Sequence, residues 1–170
     1  MMRLTKRAWG LLALCALLLS ACGFQLRSND ALLALPFSSL YLEADARSPL
    51  AIELTRNLRA GSRLQLAANA SQADAVLQIM ADTRDKTVLS LNSAGRVREF
   101  ALTYTLRFRV IDNKGRELLM PSDINLRRTI SFNEAQVLAK EAEEALLWRD
   151  MQSDLVQQIL RRLAAIRPER

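Results

Sequence analysis

The chain has 170 residues, half of them hydrophobic, with 24 Lys and Arg against 18 Asp and Glu, two cysteines and no histidine. That length suits one domain with a real core. The lack of His excludes Ser–His and Cys–His nucleophilic chemistry and removes the usual zinc ligands.

The first predicted element is not part of a fold. Met1 to Arg7 is a short basic segment, Ala8 to Leu19 is apolar without a polar face, and Ser20 and Ala21 are small. This is the three-part plan of a secretory signal, with a core too short to span a bilayer permanently. Leu19-Ser20-Ala21-Cys22 is similar to the lipobox of bacterial lipoproteins. That resemblance implies that Cys22 carries a thioether-linked diacylglyceride and that cleavage before it frees an amine for another acyl chain. Each buried methylene contributes about 0.8 kcal/mol, so several chains anchor the protein firmly. The competing reading is an incidental cysteine after an ordinary cleavage site. In proteobacterial lipoproteins Asp after the lipidated Cys favours inner-membrane retention; Gly23 stands here, which implies the outer membrane and a periplasm-facing protein.

The expected organisation is therefore a cleaved signal over 1–21, a lipidated tether over 22–36 and one domain over 37–170. Cleavage removes 21 residues, leaving 149, and takes Arg3, Lys6 and Arg7, lowering the formal charge from +6 to +3. Cys15 leaves with the signal, so no disulfide can form. Nucleic acid is not an expected partner, on charge and on compartment.

Leu40-Tyr41-Leu42 reads as a short strand. Ser48-Pro49 opens a helix, Ser at the N-cap and Pro in the first turn, with Leu50, Leu54 and Leu58 on one face and Gly61 to end it. A brief strand is expected at Leu64 to Leu66. Over Ala73 to Leu91, Ala75, Leu77, Ile79 and Ala81 share a parity that resumes at Leu89 and Leu91; one long strand with a charged middle or two strands joined by a bulge fit equally well. Asn92 to Gly95 is a turn. Phe100, Leu102, Tyr104, Leu106, Phe108 and Val110 alternate with polar residues in the clearest strand. Asp112 to Gly115 is a hairpin loop, and Leu118 to Phe132 returns, with Pro121 marking a bulge or an edge and Arg128 breaking the apolar parity. Asn133 to Gln136 resembles a capping box. The long helix after it carries a stripe of Trp148, Met151, Leu155, Ile159, Leu163 and Ile166, extended upstream by Ala145, Ala142 and Leu138 and ended by Pro168.

The fold expected from these elements is α+β: a two-layer sandwich, two helices packed on one face of a roughly four-stranded, mainly antiparallel sheet. No glycine-rich phosphate loop or serine elbow occurs. Glu141, Glu143 and Glu144 read as a solvated helix face, not an acid/base pair, so neither a cofactor nor an enzymatic activity is expected.

An outer-membrane lipoprotein beginning Cys22-Gly23-Phe24-Gln25-Leu26-Arg27, with this element order and with Gln136-Val137-Leu138-Ala139-Lys140 leading into the last helix, resembles the LPS-assembly lipoprotein LptE family. The resemblance implies a plug inside the LptD β-barrel protein that helps it assemble and assists delivery of lipopolysaccharide to the outer leaflet. It also implies lipopolysaccharide binding by bases near the second-to-third strand loop and at the Ala-Lys step of the last helix. Lys140 matches the latter. At the loop the base follows Gly95 instead of preceding it, giving Arg96, with Arg98 on the same parity; Arg128 is a further candidate. Arg and Lys meet lipid A phosphates through charge-assisted hydrogen bonds. Two other readings stay open: a periplasmic carrier of another amphiphile without an obligate barrel, and a hydrolase using Glu141 and Glu144. Arg128 itself fits a helix carboxylate partner, a bulge or a ligand.

Overall fold

A computed structural model describes residues 35–61 and 64–167. Cys22 and nearly all of the tether lie outside the described residues, as does Pro168. Five strands form one sheet: β1 (Ser39–Glu43), β2 (Gln65–Leu66), β3 (Ala75–Leu91), β4 (Val97–Asp112) and β5 (Glu117–Ser131). The helices are α1 (Pro49–Gly61) and α2 (Val137–Ala165). The strand order is β2-β1-β3-β4-β5, parallel at β2/β1 and β1/β3 and antiparallel at β3/β4 and β4/β5. The fold is thus α+β with both helices on one side. The sheet has five strands and is mixed, where about four were expected.

The two-residue β2 lies within the brief strand expected at Leu64 to Leu66 and is held by Gln65 N–H to Ser38 C=O (3.0 Å) and Ala67 N–H to Leu40 C=O (2.9 Å). The entrance to β1 is clamped to the entrance of β3. Asp74 Oδ2 accepts the N–H groups of Ser38 and Ser39 at 3.0 and 2.9 Å, and Asp74 N–H donates to Ser39 Oγ at 2.8 Å. Hydrogen bonding to the Ser39 side chain, helped by these two N–H groups and opposed by burial, holds the Asp74 carboxyl below its ordinary range.

The core follows the alternation. Leu102, Tyr104, Leu106, Phe108 and Val110 of β4 are buried with Leu40, Leu77, Ile124 and Ile130 of the neighbouring strands. Against them lie Leu50, Leu54 and Leu58 of α1 and Met151, Leu155, Ile159 and Leu163 of α2. Each fully buried Leu, Ile, Phe or Met contributes roughly 1.5–3 kcal/mol through lost apolar exposure, so this seam outweighs the surface ion pairs in stabilising the fold. Ser48 precedes α1 as expected. Its C=O accepts the Ile52 N–H at 3.1 Å, while its hydroxyl donates to Asp82 Oδ2 at 3.1 Å and ties the helix to β3.

Both β-hairpins use one turn design. In the first, Asn92 Oδ1 accepts the N–H groups of Ala94 and Arg96, each at 3.0 Å, and Gly95 has φ +74°. In the second, Asp112 Oδ1 accepts those of Lys114 and Arg116, each at 2.8 Å, and Gly115 has φ +81°. The αL position is one that glycine occupies without steric cost.

Two expectations are corrected. The parity of β3 does not run through. Pairing shifts between Ile79 and Ala81, and again after Val88. Ile79 opposes Phe108, but beyond the first bulge Asp82 opposes Leu106, Arg84 opposes Tyr104 and Lys86 opposes Leu102. The charged middle of β3 therefore turns toward the helices and Ala81 turns away from them. The single long strand and the bulge are both present. The second correction concerns α2, whose upstream stripe is not buried: Leu138 is 82% exposed, and Ala142 and Ala145 are exposed too.

Candidate functional site: an aromatic cleft with paired lysines

At one end of the sheet β5 finishes with Ser131 opposite Glu99. The chain then turns: Phe132 N–H donates to Arg98 C=O at 2.8 Å, and Asn133 Oδ1 accepts the Ala135 N–H at 3.0 Å, capping a 3-10 turn over Glu134–Gln136. This short connection sets the first turns of α2 over the ends of β4 and β5. Between them lies a cleft of about 250 Å³, lined by Lys86, Phe100, Ile130, Ser131, Phe132, Val137, Lys140, Glu141 and Glu144.

Its floor is aromatic. Phe100 and Phe132 meet edge to face with centroids 5.4 Å apart, a geometry favoured by the ring quadrupoles. Its walls carry two lysines and two glutamates. Lys86 Nζ stands 4.4 Å from the Phe100 centroid and pairs with Glu144 Oε2 at 2.5 Å. Lys140 Nζ donates to Ser131 Oγ at 2.9 Å and to Glu143 Oε2 at 2.8 Å, with its side chain only 17% exposed. Glu144 also accepts from Trp148 Nε1 at 3.3 Å. These partially exposed pairs are worth roughly 0–1 kcal/mol each, whereas a hydrogen bond to a charged group is worth about 1.5–3 kcal/mol. An anion entering the cleft would exchange with the resident carboxylates for the two ammonium groups.

Of the four bases expected from sequence, only Lys140 lines the cleft. Arg96 lies at the β3–β4 turn and pairs with Glu134 at 3.2 Å, just before α2. Arg98 is exposed on β4, and its carbonyl holds Phe132. Arg128 opposes Leu102 on β5 and reaches Asp154 of α2 at 3.0 Å; of its three readings, the helix carboxylate partner is the one observed. Lys86, Phe100 and Phe132 were not named as site residues. Lys86 was hidden by the β3 bulge, which reverses its side, while the two phenylalanines read as ordinary core positions. Glu141 and Glu143 are exposed, as the solvated-face reading expects, whereas Glu144 is half-buried, and Glu141 and Glu144 both line the cleft. Glu144 is engaged by a lysine and an indole N–H. Among the described residues no group of three or more His, Cys, Asp or Glu side chains is placed to hold a metal.

Among the described residues no helix covers the opposite face of the sheet. Thr103, Thr105, Arg107 and Arg109 of β4 line it, and Asn125 Nδ2 donates to Thr105 Oγ1 at 3.2 Å. Arg107 grips Asp123 with two bonds, Nε to Oδ1 at 2.7 Å and NH2 to Oδ2 at 2.9 Å. This fork holds the Asp123 carboxyl below its ordinary range, against burial, and raises the guanidinium in return.

Comparison with known proteins gives a consistent result. The family model described as LptE, lipopolysaccharide-assembly, matches residues 37–163. An LPS-assembly lipoprotein LptE of Pectobacterium atrosepticum is 26% identical over 156 residues, covering 91% of this chain and 83% of the relative. One from Yersinia pestis is 28% identical over 158 residues, covering 92% and 74%. Among solved structures, the solution structure of lipoprotein B from Nitrosomonas europaea is 40% identical and superposes with a TM-score of 0.73, covering 84% of this chain and 91% of that one. The crystal structure of the rare lipoprotein B from Shewanella oneidensis is 28% identical with a TM-score of 0.65, covering 75% and 94%. With its two helices on a bulged five-stranded sheet and a family match across nearly all of the described domain, this chain belongs to the LptE family of lipopolysaccharide-assembly proteins.

Proposed function

We propose that this protein is a non-catalytic lipoprotein, anchored in the outer membrane through lipid on Cys22, that partners and plugs the LptD β-barrel and helps deliver lipopolysaccharide to the outer leaflet. Family membership supports the assembly role. The observation that carries the plug reading is the bare sheet face. A polar surface of threonines, asparagine and a forked Arg107–Asp123 pair suits a hydrated barrel lumen, because every exposed side chain can exchange water for a polar partner.

The cleft at the start of α2 supplies the lipopolysaccharide contact in this reading. Lys140 and Lys86 meet phosphate while Phe100, Phe132 and Val137 offer apolar surface to the adjoining lipid. Arg96 and Arg98 add positive charge nearby, and Arg128 acts within the fold through Asp154.

The test is co-purification of a C-terminally tagged protein from detergent-solubilised outer membranes, with mass spectrometry of what is retained. A stoichiometric large β-barrel that survives mild detergent is expected. A lone protein carrying bound lipid would overturn the plug in favour of an amphiphile carrier. In the same preparations Lys140→Gln is expected to lower lipopolysaccharide retained on the purified protein several-fold while the protein still unfolds in one cooperative transition.

A further inference from the structure

At the sheet edge far from the cleft, β2 is too short to cover β1. Its last backbone contact is Ala67 N–H to Leu40 C=O, whereas β1 continues to Glu43. Carbonyls of Ser38 and Leu40 face β2, so strand alternation also turns the N–H and C=O of Leu42 that way. No hydrogen bond reaches them there among the described residues. Beside this open backbone runs a groove of about 870 Å³ between β1 and α1, lined by Tyr41, Leu42, Ile52, Leu66, Arg56 and Arg59 among others. Ile52 is 56% exposed. The lining contains two arginines and no carboxylate, and neither arginine forms an ion pair among the described residues.

We propose that an extended, carboxylate-bearing polypeptide segment docks in this groove and adds a strand to the free edge of β1 at Leu42. Each part of the surface selects one property of the occupant. Unpaired backbone donors and acceptors select an extended peptide, which alone can continue a β-ladder. The apolar strip of Tyr41, Leu42, Ile52 and Leu66 selects small or aliphatic side chains on one parity. Arg56 and Arg59, one turn apart on α1, select Asp or Glu beside them through charge-assisted hydrogen bonds. The other sheet edge makes the contrast. There β5 carries Pro121, Asp123 and Arg127, the residue types that guard an edge against pairing. The β1 edge has no such guard over Leu40 to Leu42. The inference concerns a different surface from the cleft and the bare face, and it stands or falls apart from the plug reading.

The test places a photoreactive benzoylphenylalanine at Thr55, which lines the groove, in the full chain in cell envelopes. Irradiation is expected to join it to one polypeptide, and sequencing of the joined peptide to find Asp or Glu within about four residues of the adduct. Arg56→Glu with Arg59→Glu is expected to cut the adduct yield at least about fivefold, and the paired Lys substitutions to retain most of it. Both positions are exposed on α1, and an unchanged thermal midpoint confirms that the variants fold. Amide exchange over Leu40 to Ala46 should slow in the bound form. An adduct to lipid alone, to a peptide without a carboxylate, or to nothing overturns the proposal, as does a yield indifferent to charge reversal.

Discussion

Tyr104 places a hydroxyl inside the layer between sheet and helices. Its ring is fully buried and meets Trp148 edge to face at 6.2 Å, while the Arg84 guanidinium lies 4.6 Å from its centroid and donates to its oxygen at 3.2 Å. Arg84 also donates to Gln152 Oε1 at 2.7 Å, and Gln152 passes the connection to Glu53 of α1. A polar thread thus joins four elements, β3, β4, α2 and α1, through an apolar seam, each group in it satisfied, which favours one arrangement of the helices over others. Burial pushes the Tyr104 phenol up to about 12, despite the opposing hydrogen bond from Arg84. The unfolded chain therefore loses this proton first, near pH 10, while the native state keeps it, so stability falls as pH rises from about 10 to about 12. Alkaline urea titrations of the wild type should show that slope, and Tyr104→Phe should remove its steepest part. At the acid end the sign reverses. Asp74 and Asp123 are held below their ordinary range by hydrogen bonds, and at Asp112 burial is outweighed by Arg116 and two backbone N–H groups. Their contributions are complete above the unfolded value of about 3.9 and are lost as pH falls through the lower folded values. The same titrations should show stability declining below about pH 4.

Helix α2 behaves as two pieces. From Met151 to Leu163 its stripe is buried against β4, β5 and α1; before Leu147 the outward residues meet water. Leu155→Ala should cost about 2–5 kcal/mol by loss of apolar transfer and creation of a cavity, while Leu138→Ala should change stability by no more than about 0.5 kcal/mol. Urea denaturation distinguishes the two, and equal costs would show that the exposed half is packed in solution. This division marks what sequence can and cannot reveal. Strand β4 was legible because it lies between two partners under a helical layer, so every second residue had to be apolar. The α2 stripe was overextended because Ala142, Ala145 and Leu138 keep the helical period where the sheet beneath offers the polar side chains of Lys86 and Ser131. Strand β3 was misread for a related reason. A one-residue bulge near Met80 reverses parity, and no local residue type announces it. The cleft inherited that error: Lys140 could be named from its motif, whereas Lys86 required knowing the side it faces.

At the scale of the whole molecule, a sheet with two helices on one face leaves the other face to be satisfied by water or by a partner. Around Thr103 and Thr105 that face is polar: Arg107 pairs with Asp123, while Asp85 and Arg127, opposite Thr103 on the two neighbouring strands, form no ion pair among the described residues. It therefore offers hydrogen bonding and charges of both signs instead of a field of one sign, which suits docking against a polar surface better than steering a diffusing ligand. Thr105→Arg tests this directly. In the isolated protein the new side chain can extend into solvent, so stability should change by less than about 1 kcal/mol. Inside a barrel lumen the same side chain must find space and a counter-charge, and recovery of the barrel with the tagged protein should fall several-fold. Thr105→Ser, which keeps the hydroxyl and removes only a methyl, should leave recovery intact. Equal recovery with Arg and Ser would mean that this face looks onto water, and the partner would have to be held by the helices or by the free edge of β1.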